Sequence, residues 1–259
     1  VIAREGRVVA ALARRVLIVQ RRRSQLLLPT FLLPLLLLAV IASGTSAGRG
    51  LRGFPDVSSY LAFVVPGTVT QGTLLAGLTA GIMMAADIEF GFFDRLLASP
   101  VRRTSIVLGR LAGVMVLSVV QTIWFLLVAM LFGARYHGGV PGAVGAICIA
   151  AITAVAMGAI AAAIALRTGS LSLLQSLFPF MFVLLFTAPA FFPQELLTPV
   201  LHDLSRFNPL TYVVGGIRAL LEGDRSLGSP WAGLAVACGL AVAMTGVATF
   251  ALKERLRTL

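Results

Sequence analysis

Lysine is almost missing from this chain. Lys253 is the only one among 259 residues, and it sits in Leu-Lys-Glu-Arg-Leu. A phosphate-cradling loop needs a glycine-rich turn that delivers a lysine to a helix start, so no standard ATP site is expected here. Charge of either sign is scarce: 12% of residues are Asp, Glu, Lys or Arg, against about a quarter in a soluble domain. The ten acids avoid the middle of every long apolar run. Asp87 and Glu89 stand at a border, and Glu195, Asp203, Glu222 and Asp224 occupy one polar stretch; His137 and His202 also fall in loops. A proton relay keeps ionisable groups at mid-membrane, so proton coupling is disfavoured, while serine, threonine and carbonyl sites for sodium stay open. The two cysteines, Cys148 and Cys238, lie singly in apolar runs. They read as small buried apolar residues, and no Cys/His metal spacing occurs. No small-residue cleavage site clearly ends the first apolar run, so no cleavable signal peptide is expected.

What fills the chain is apolar: 58% of residues are hydrophobic and mean hydropathy is +0.97. The runs are long and unbroken rather than short and alternating. That predicts an all-α, polytopic membrane protein, not a β-barrel. Six runs read as spans: 26–43, 60–86, 105–132, 140–166, 171–192 and 230–252. Ahead of them, residues 1–25 read as a basic amphipathic helix for the headgroup layer rather than a nucleic-acid arm. Residues 193–229 read as an external segment with short helices at 194–205 and 210–222. The whole of 1–259 is then one transmembrane domain. Six spans place both termini on one side. Fifteen of the 21 Lys and Arg residues fall on that side and six on the other, so the positive-inside rule puts both termini in the cytosol. The net charge of +11 is thus explained by loop arginines and calls for no nucleic acid. Arg110, near the inner end of the third run, is expected to snorkel.

Polar residues inside the runs are mostly uncharged. Thr68, Thr70, Gln71 and Thr73 form a ladder in the second run, and Gln175, Phe178, Phe180, Phe182 and Phe186 stand in the fifth. Thr68, Gln71, Thr73, Gln175, Phe178, Phe182 and Phe186 are the expected path for an apolar, weakly polar substrate. Interhelical hydrogen bonding and plain core or lipid contact are the alternatives. Gly77/Gly81, Gly109/Gly113 and the ridge Gly233, Ala237, Ala241, Thr245 mark places where helices approach closely.

Residues 88–99 form a charged insert between two runs. Phe93, Leu96 and Leu97 fall at i, i+3, i+4, with Phe92 one turn before Leu96, while Asp94 and Arg95 point elsewhere. Pro100 ends the helix by biasing Ser99 away from the α region. Glu89, Gly91, Asp94, Arg95 and Leu96, followed by Ser99-Pro100, resemble the coupling region of type-2 ATP-binding-cassette exporter permeases. The family pattern there is Glu-x-Gly-Thr-x-Glu-Arg-Leu, then Pro after a small residue. Phe92 replaces the usual Thr, and with Asp-Arg following it the stretch looks more like the daunorubicin- and multidrug-resistance branch. Phe191-Phe192-Pro193, then Asn208-Pro209-Leu210-Thr211-Tyr212 and Arg218, is similar to the family's stretch before the last span. The resemblance implies a permease subunit of the bacterial plasma membrane that exports an amphipathic drug, lipid or glycolipid. It implies no enzyme activity and no cofactor in this chain, ATP and Mg being bound by a separate nucleotide-binding subunit. It also implies a second permease subunit, the same chain or a sister. By this likeness Phe92, Phe93, Leu96 and Leu97 would enter a groove on the ATPase, and Glu89, Asp94 and Arg95 would pair at its rim. A secondary, ion-coupled transporter is the alternative.

Overall fold

A computed structural model describes residues 2–22, 24–44, 57, 59–98 and 101–257. The predicted helix stop at Ser99–Pro100 and the loop arginines Arg49 and Arg52 lie outside the described residues. Eleven α-helices run α1 (Ile2–Arg22), α2 (Ser24–Gly44), α3 (Tyr60–Glu89), α4 (Phe92–Leu97), α5 (Arg103–Leu131), α6 (Gly139–Thr168), α7 (Leu171–Ser176), α8 (Phe178–Phe186), α9 (Pro199–Phe207), α10 (Pro209–Glu222) and α11 (Pro230–Arg255). No strand occurs among the described residues. Among the described residues four helices, α3, α5, α6 and α11, are long and apolar enough to cross a membrane. Two shorter apolar stretches, Leu28–Ser43 and Leu171–Phe186, accompany them.

The hub is α3. Ser59 caps it through Ala62 N at 3.0 Å, and its 30 residues extend about 45 Å. Nearly every residue of it is buried. Glycine makes this possible. A Cβ at Gly77 would lie 2.5 Å from Met157 Cβ, and one at Gly81 2.5 Å from Ala161 Cβ, so α3 and α6 meet almost backbone to backbone. Alanine lines the α6 side, which keeps the seam thin. Gly109 and Gly113 also mark a close approach, but their partner is α1: Leu12 Cβ and Val16 Cβ lie 2.5 and 2.8 Å from the added carbons. The basic leader is therefore packed along α5, with Val16 and Gln20 buried.

Three expectations change. The run 171–192 is not one helix: it breaks between α7 and α8 at Leu177. Pro179 has no N–H to return to the fourth carbonyl before it, so a new helix starts there. The stretch 194–205 divides likewise into a 3₁₀ turn, Gln194–Leu196, and α9, which begins at Pro199. The cysteines are exposed, not buried. The next helix, α10, is buried against α3, α6 and α11. Gly216 faces Gly233 of α11, and Leu220 covers Gly142 and Gly145 of α6. Opposite ends of the bundle thus differ: α1, α4, the start of α5 and the end of α11 make a basic end, and α9, α10 and the α5–α6 turn cap the far end.

Candidate functional site

At the basic end the chain leaves α3 at Phe90 and reverses at Gly91, whose φ of +71° favours glycine. The helix that follows has six residues, too few to be stable alone. Its peg is Phe93, 0% exposed, in the cluster that includes Met84, Ile106, Leu166 and Leu174. Leu96 and Leu97 pack half-buried against the same cluster. Phe93 is therefore packed inside this chain, where the sequence reading assigns it to a partner's groove. What faces outward is Glu89, Phe90, Asp94, Arg95 and Ala98. Phe90, 71% exposed, escaped the periodicity because it lies in the turn before the helix. Glu89 Oε2 accepts from Leu171 N at 3.4 Å, tying the α3 terminus to the start of α7.

Beside this turn lies an ionic knot that the sequence reading missed. Asp87 accepts two bonds from Arg15, Nη1 to Oδ2 at 2.9 Å and Nη2 to Oδ1 at 3.0 Å. It also accepts from Arg110 Nη2. Arg110 does not snorkel: its side chain is 4% exposed. An isolated buried guanidinium is costly in an apolar setting, and Asp87 supplies its counter-charge. Arg15 in turn lies 3.8 Å over the Phe92 ring, a cation–π contact. One carboxylate thus joins α1, α3 and α5, and one arginine carries the link on to α4. The available signal was a lone Asp bordering one apolar run while an Arg borders the next. Farther along α1, Glu5 accepts from Ser105 Oγ at 2.5 Å and pairs with Arg102 at 3.5 Å.

The far end is held by the second motif. Asn208 Oδ1 caps α10 through Leu210 N at 2.9 Å, while Nδ2 donates to Leu184 O at 2.7 Å and Thr187 Oγ1 at 2.9 Å. Pro209 fills the first helical position, where its missing N–H costs nothing. Tyr212 is exposed, its hydroxyl donating to Arg206 O at 3.1 Å. Arg218 is 5% exposed. It donates to Phe63 O at 3.3 Å, Pro189 O at 3.0 Å and Ala190 O at 3.1 Å, and lies 3.9 Å over the Phe63 ring. These residues fasten α10 to the end of α8 and to the far end of α3. In the α5–α6 turn, Tyr136 has its phenol pushed up, mainly by burial and then by the Glu222 carboxylate. It stays protonated, donating to Leu126 O at 3.3 Å.

The expected path residues separate into two groups. Thr68 and Thr73 are buried and return their hydroxyls to their own helix, at Val64 O (3.4 Å) and Thr70 O (2.7 Å). Gln71 is different: both side-chain polar atoms are buried without a hydrogen-bond partner. It lines a narrow apolar seam together with Met181, Phe182 and Leu185 of α8. Along α8 the Phe178, Phe182 and Phe186 rings follow one another at 5.2 and 6.3 Å between centroids, as i, i+4 spacing requires. Gln175 lies on α7, exposed, before the helix break. So Gln71 and Phe182 meet; Gln175 joins neither.

The membrane-domain profile of the ABC-2 type transporter family matches residues 7–221. The chain is 28% identical over 212 residues to a putative transport permease, ycf38, of Porphyra purpurea, covering 81% of this chain and 72% of that one. It is 26% identical over 191 residues to the daunorubicin resistance ABC transporter permease protein DrrB1 of Streptomyces coeruleorubidus, covering 71% and 66%. A ycf38 permease of Cyanophora paradoxa is 28% identical over 211 residues, covering 81% and 72%. The match runs through the basic leader, the short helix at α4 and the Asn208–Arg218 stretch, and the chain belongs to the ABC-2 type transporter family.

Proposed function

We propose that this chain is the passive membrane half of an ATP-driven exporter, moving an amphipathic drug, lipid or glycolipid outward. A separate nucleotide-binding subunit binds ATP and Mg and supplies the stroke. A second permease, the same chain or a sister, completes the path. In this reading α2 and the broken pair α7–α8 join α3, α5, α6 and α11 as six crossings of one transmembrane domain. The basic end, with both termini, faces the cytosol of a bacterial plasma membrane, and α9 lies outside.

The observation that carries the reading is the build of α4. It is a short helix pegged by Phe93, with Phe90, Asp94 and Arg95 turned outward at the end of the hub helix. A load on that rim is borne by α3 directly and by α1 through Arg15 and Phe92. The contact with the ATPase then falls on Phe90, Asp94, Arg95 and Glu89, with Phe92, Phe93, Leu96 and Leu97 supporting them from within. The substrate path falls on the α3–α8 seam. Gln71 is its one side chain with unused hydrogen-bonding groups, suited to a weakly polar group on a mostly apolar cargo.

The test is a pair of variants with the ATPase co-expressed. Phe90→Ala combined with Arg95→Glu should leave the permease folded, cost at least tenfold in ATPase recovered with it, and abolish ATP-driven export. Unchanged recovery and export, or export that ignores ATP depletion and collapses with a sodium or proton gradient, would refute the reading in favour of ion coupling. A carboxy-terminal reporter that works only in the cytosol tests the orientation separately.

A further inference from the structure

Several charged groups at the basic end are already satisfied. Arg15 and Arg110 share Asp87, Arg102 pairs with Glu5, Arg167 meets Glu254 at 2.9 Å, and Arg255 donates to Leu166 O at 3.0 Å. Other cations have no carboxylate among the described residues: Arg7, Arg14, Arg21 and Arg22 along α1, Arg95 on α4, and a group made of Arg103, the first residue of α5, with Lys253 and Arg257, at the end of α11 and just beyond it. Only the last group converges: Arg103, Lys253 and Arg257 line one cavity of about 300 Å³ between those two helix ends, with Thr104 and Thr249 also lining it and buried Leu252 beneath. The α5 terminus there has no side-chain cap, so the positive end of the helix dipole adds to the field. One turn deeper on the same helices, Leu108 and Phe250 are exposed hydrophobics. A cationic hollow therefore sits directly above a lipid-facing apolar wall.

We propose that this hollow is a binding site for the headgroup of an anionic phospholipid, such as phosphatidylglycerol, from the leaflet at the basic end. The three cations hold the phosphodiester, Thr104 Oγ1 donates to it or to the glycerol hydroxyls, and the acyl chains descend over Leu108 and Phe250. A free phosphate would satisfy the cations but leave the apolar wall unused; the lipid uses both. Assigning that leaflet to the cytosolic side rests on the orientation proposed above, whereas binding itself does not.

The experiment is native mass spectrometry on the purified full chain, equilibrated in nanodiscs holding equal amounts of phosphatidylglycerol and phosphatidylcholine and then released into detergent. Retention of phosphatidylglycerol is expected to exceed that of phosphatidylcholine. A juxtamembrane cation contributes a factor of roughly five, so the triple variant Arg103→Gln, Lys253→Gln, Arg257→Gln should lose about tenfold or more of the preference. Neutralising the exposed α1 arginines Arg7, Arg14 and Arg21 should leave most of it. All six residues are exposed, and elution as a single species checks the fold of both variants; if the triple variant is misfolded, the charge-preserving Lys253→Arg, which should retain the preference, together with single Gln variants replaces it. Equal retention of the two lipids, an undiminished preference in the triple variant, or loss only in the α1 variant would overturn the proposal. Displacement of the lipid by millimolar inorganic phosphate would overturn it in favour of a soluble anion. A reversed orientation would leave lipid retention intact and fail only the reporter test.

Discussion

Removing the carboxylate of Asp87 should cost far more than removing either end of a surface ion pair. Asp87 is the counter-charge for Arg110, whose side chain is 4% exposed and whose Nη1 already lacks a partner. Asp87→Asn leaves that guanidinium buried and uncompensated, a defect worth roughly 3–5 kcal/mol. Arg15 is the internal control. It makes two well-placed bonds to the same carboxylate, but its side chain is 31% exposed, so Arg15→Gln should cost only about 1 kcal/mol, with the lost cation–π contact to Phe92 adding about 0.5–1 kcal/mol. The double variant Asp87→Asn, Arg110→Met should recover much of the loss, because removing both charges leaves neither orphaned. The assay is unfolding by titration with a denaturing detergent, followed through Trp124 and Trp231. If Asp87→Asn is no worse than Arg15→Gln, or if the double variant is worse than the two single losses together, the knot is not what holds these helices.

Three further outcomes follow from the same geometry. Phe93→Ala empties a fully buried site in the inner core and should destabilise the chain by about 3–5 kcal/mol, whereas Phe90→Ala should be nearly neutral in the same unfolding titration. Gly81→Ala puts a methyl 2.5 Å from Ala161 Cβ and 2.8 Å from the Ala161 carbonyl. Forcing α3 and α6 apart should cost about 1–3 kcal/mol, read as a lower unfolding midpoint, with Gly239→Ala, which meets nothing within 4 Å, as control. Gln71→Leu replaces an unsatisfied buried amide and should raise stability by about 1 kcal/mol while lowering export at least several-fold if the α3–α8 seam carries cargo; a loss of both would point to a packing role.

Element type was legible wherever apolar runs were long. The spacing of Phe93, Leu96 and Leu97 gives a helix with one apolar face, and the glycine pairs locate two close seams. What periodicity could not supply was the identity of the surface each face meets. Periodicity alone lets the apolar stripe of α4 face a partner, but a six-residue helix needs that stripe for its own anchorage, and the protruding aromatic is Phe90, in a turn without helical phase. Arg110 was read as snorkelling because hydropathy sees a cation near a run's end and cannot see Asp87, 23 positions away in sequence, or α1 closing over both. The burial of α10 was hidden for a related reason. Its moderate polarity, with Arg218 and Glu222, suits a surface helix; only the carbonyls of Phe63, Pro189 and Ala190, brought together by folding, make an interior arginine affordable.

These two interior arginines bear on how force can travel through the bundle. Arg110 grips one end of α3 through Asp87, and Arg218 grips the other through Phe63. Between them α3 is continuous, sealed to α6 by Gly77 and Gly81, with Thr70 and Thr79 hydroxyls bonded back to its own carbonyls at 2.8 Å. Pro66 interrupts the hydrogen-bond ladder near the far end, while the α6 seam and the two clamps restrain α3 along its length. Arg218 also holds the carbonyls of Pro189 and Ala190, just past α8, and Asn208 holds Leu184 within it. Displacement of α3 at the α4 end would therefore be delivered, through Arg218, to the far end of α8, the short aromatic helix that covers Gln71. Elsewhere, Gln121 of α5 donates to Thr30 O of α2 at 2.5 Å. The hydrogen-bonded route runs from α4 along α3 to α8, and in the proposed exporter it would act on the seam lined by Gln71 and Phe182.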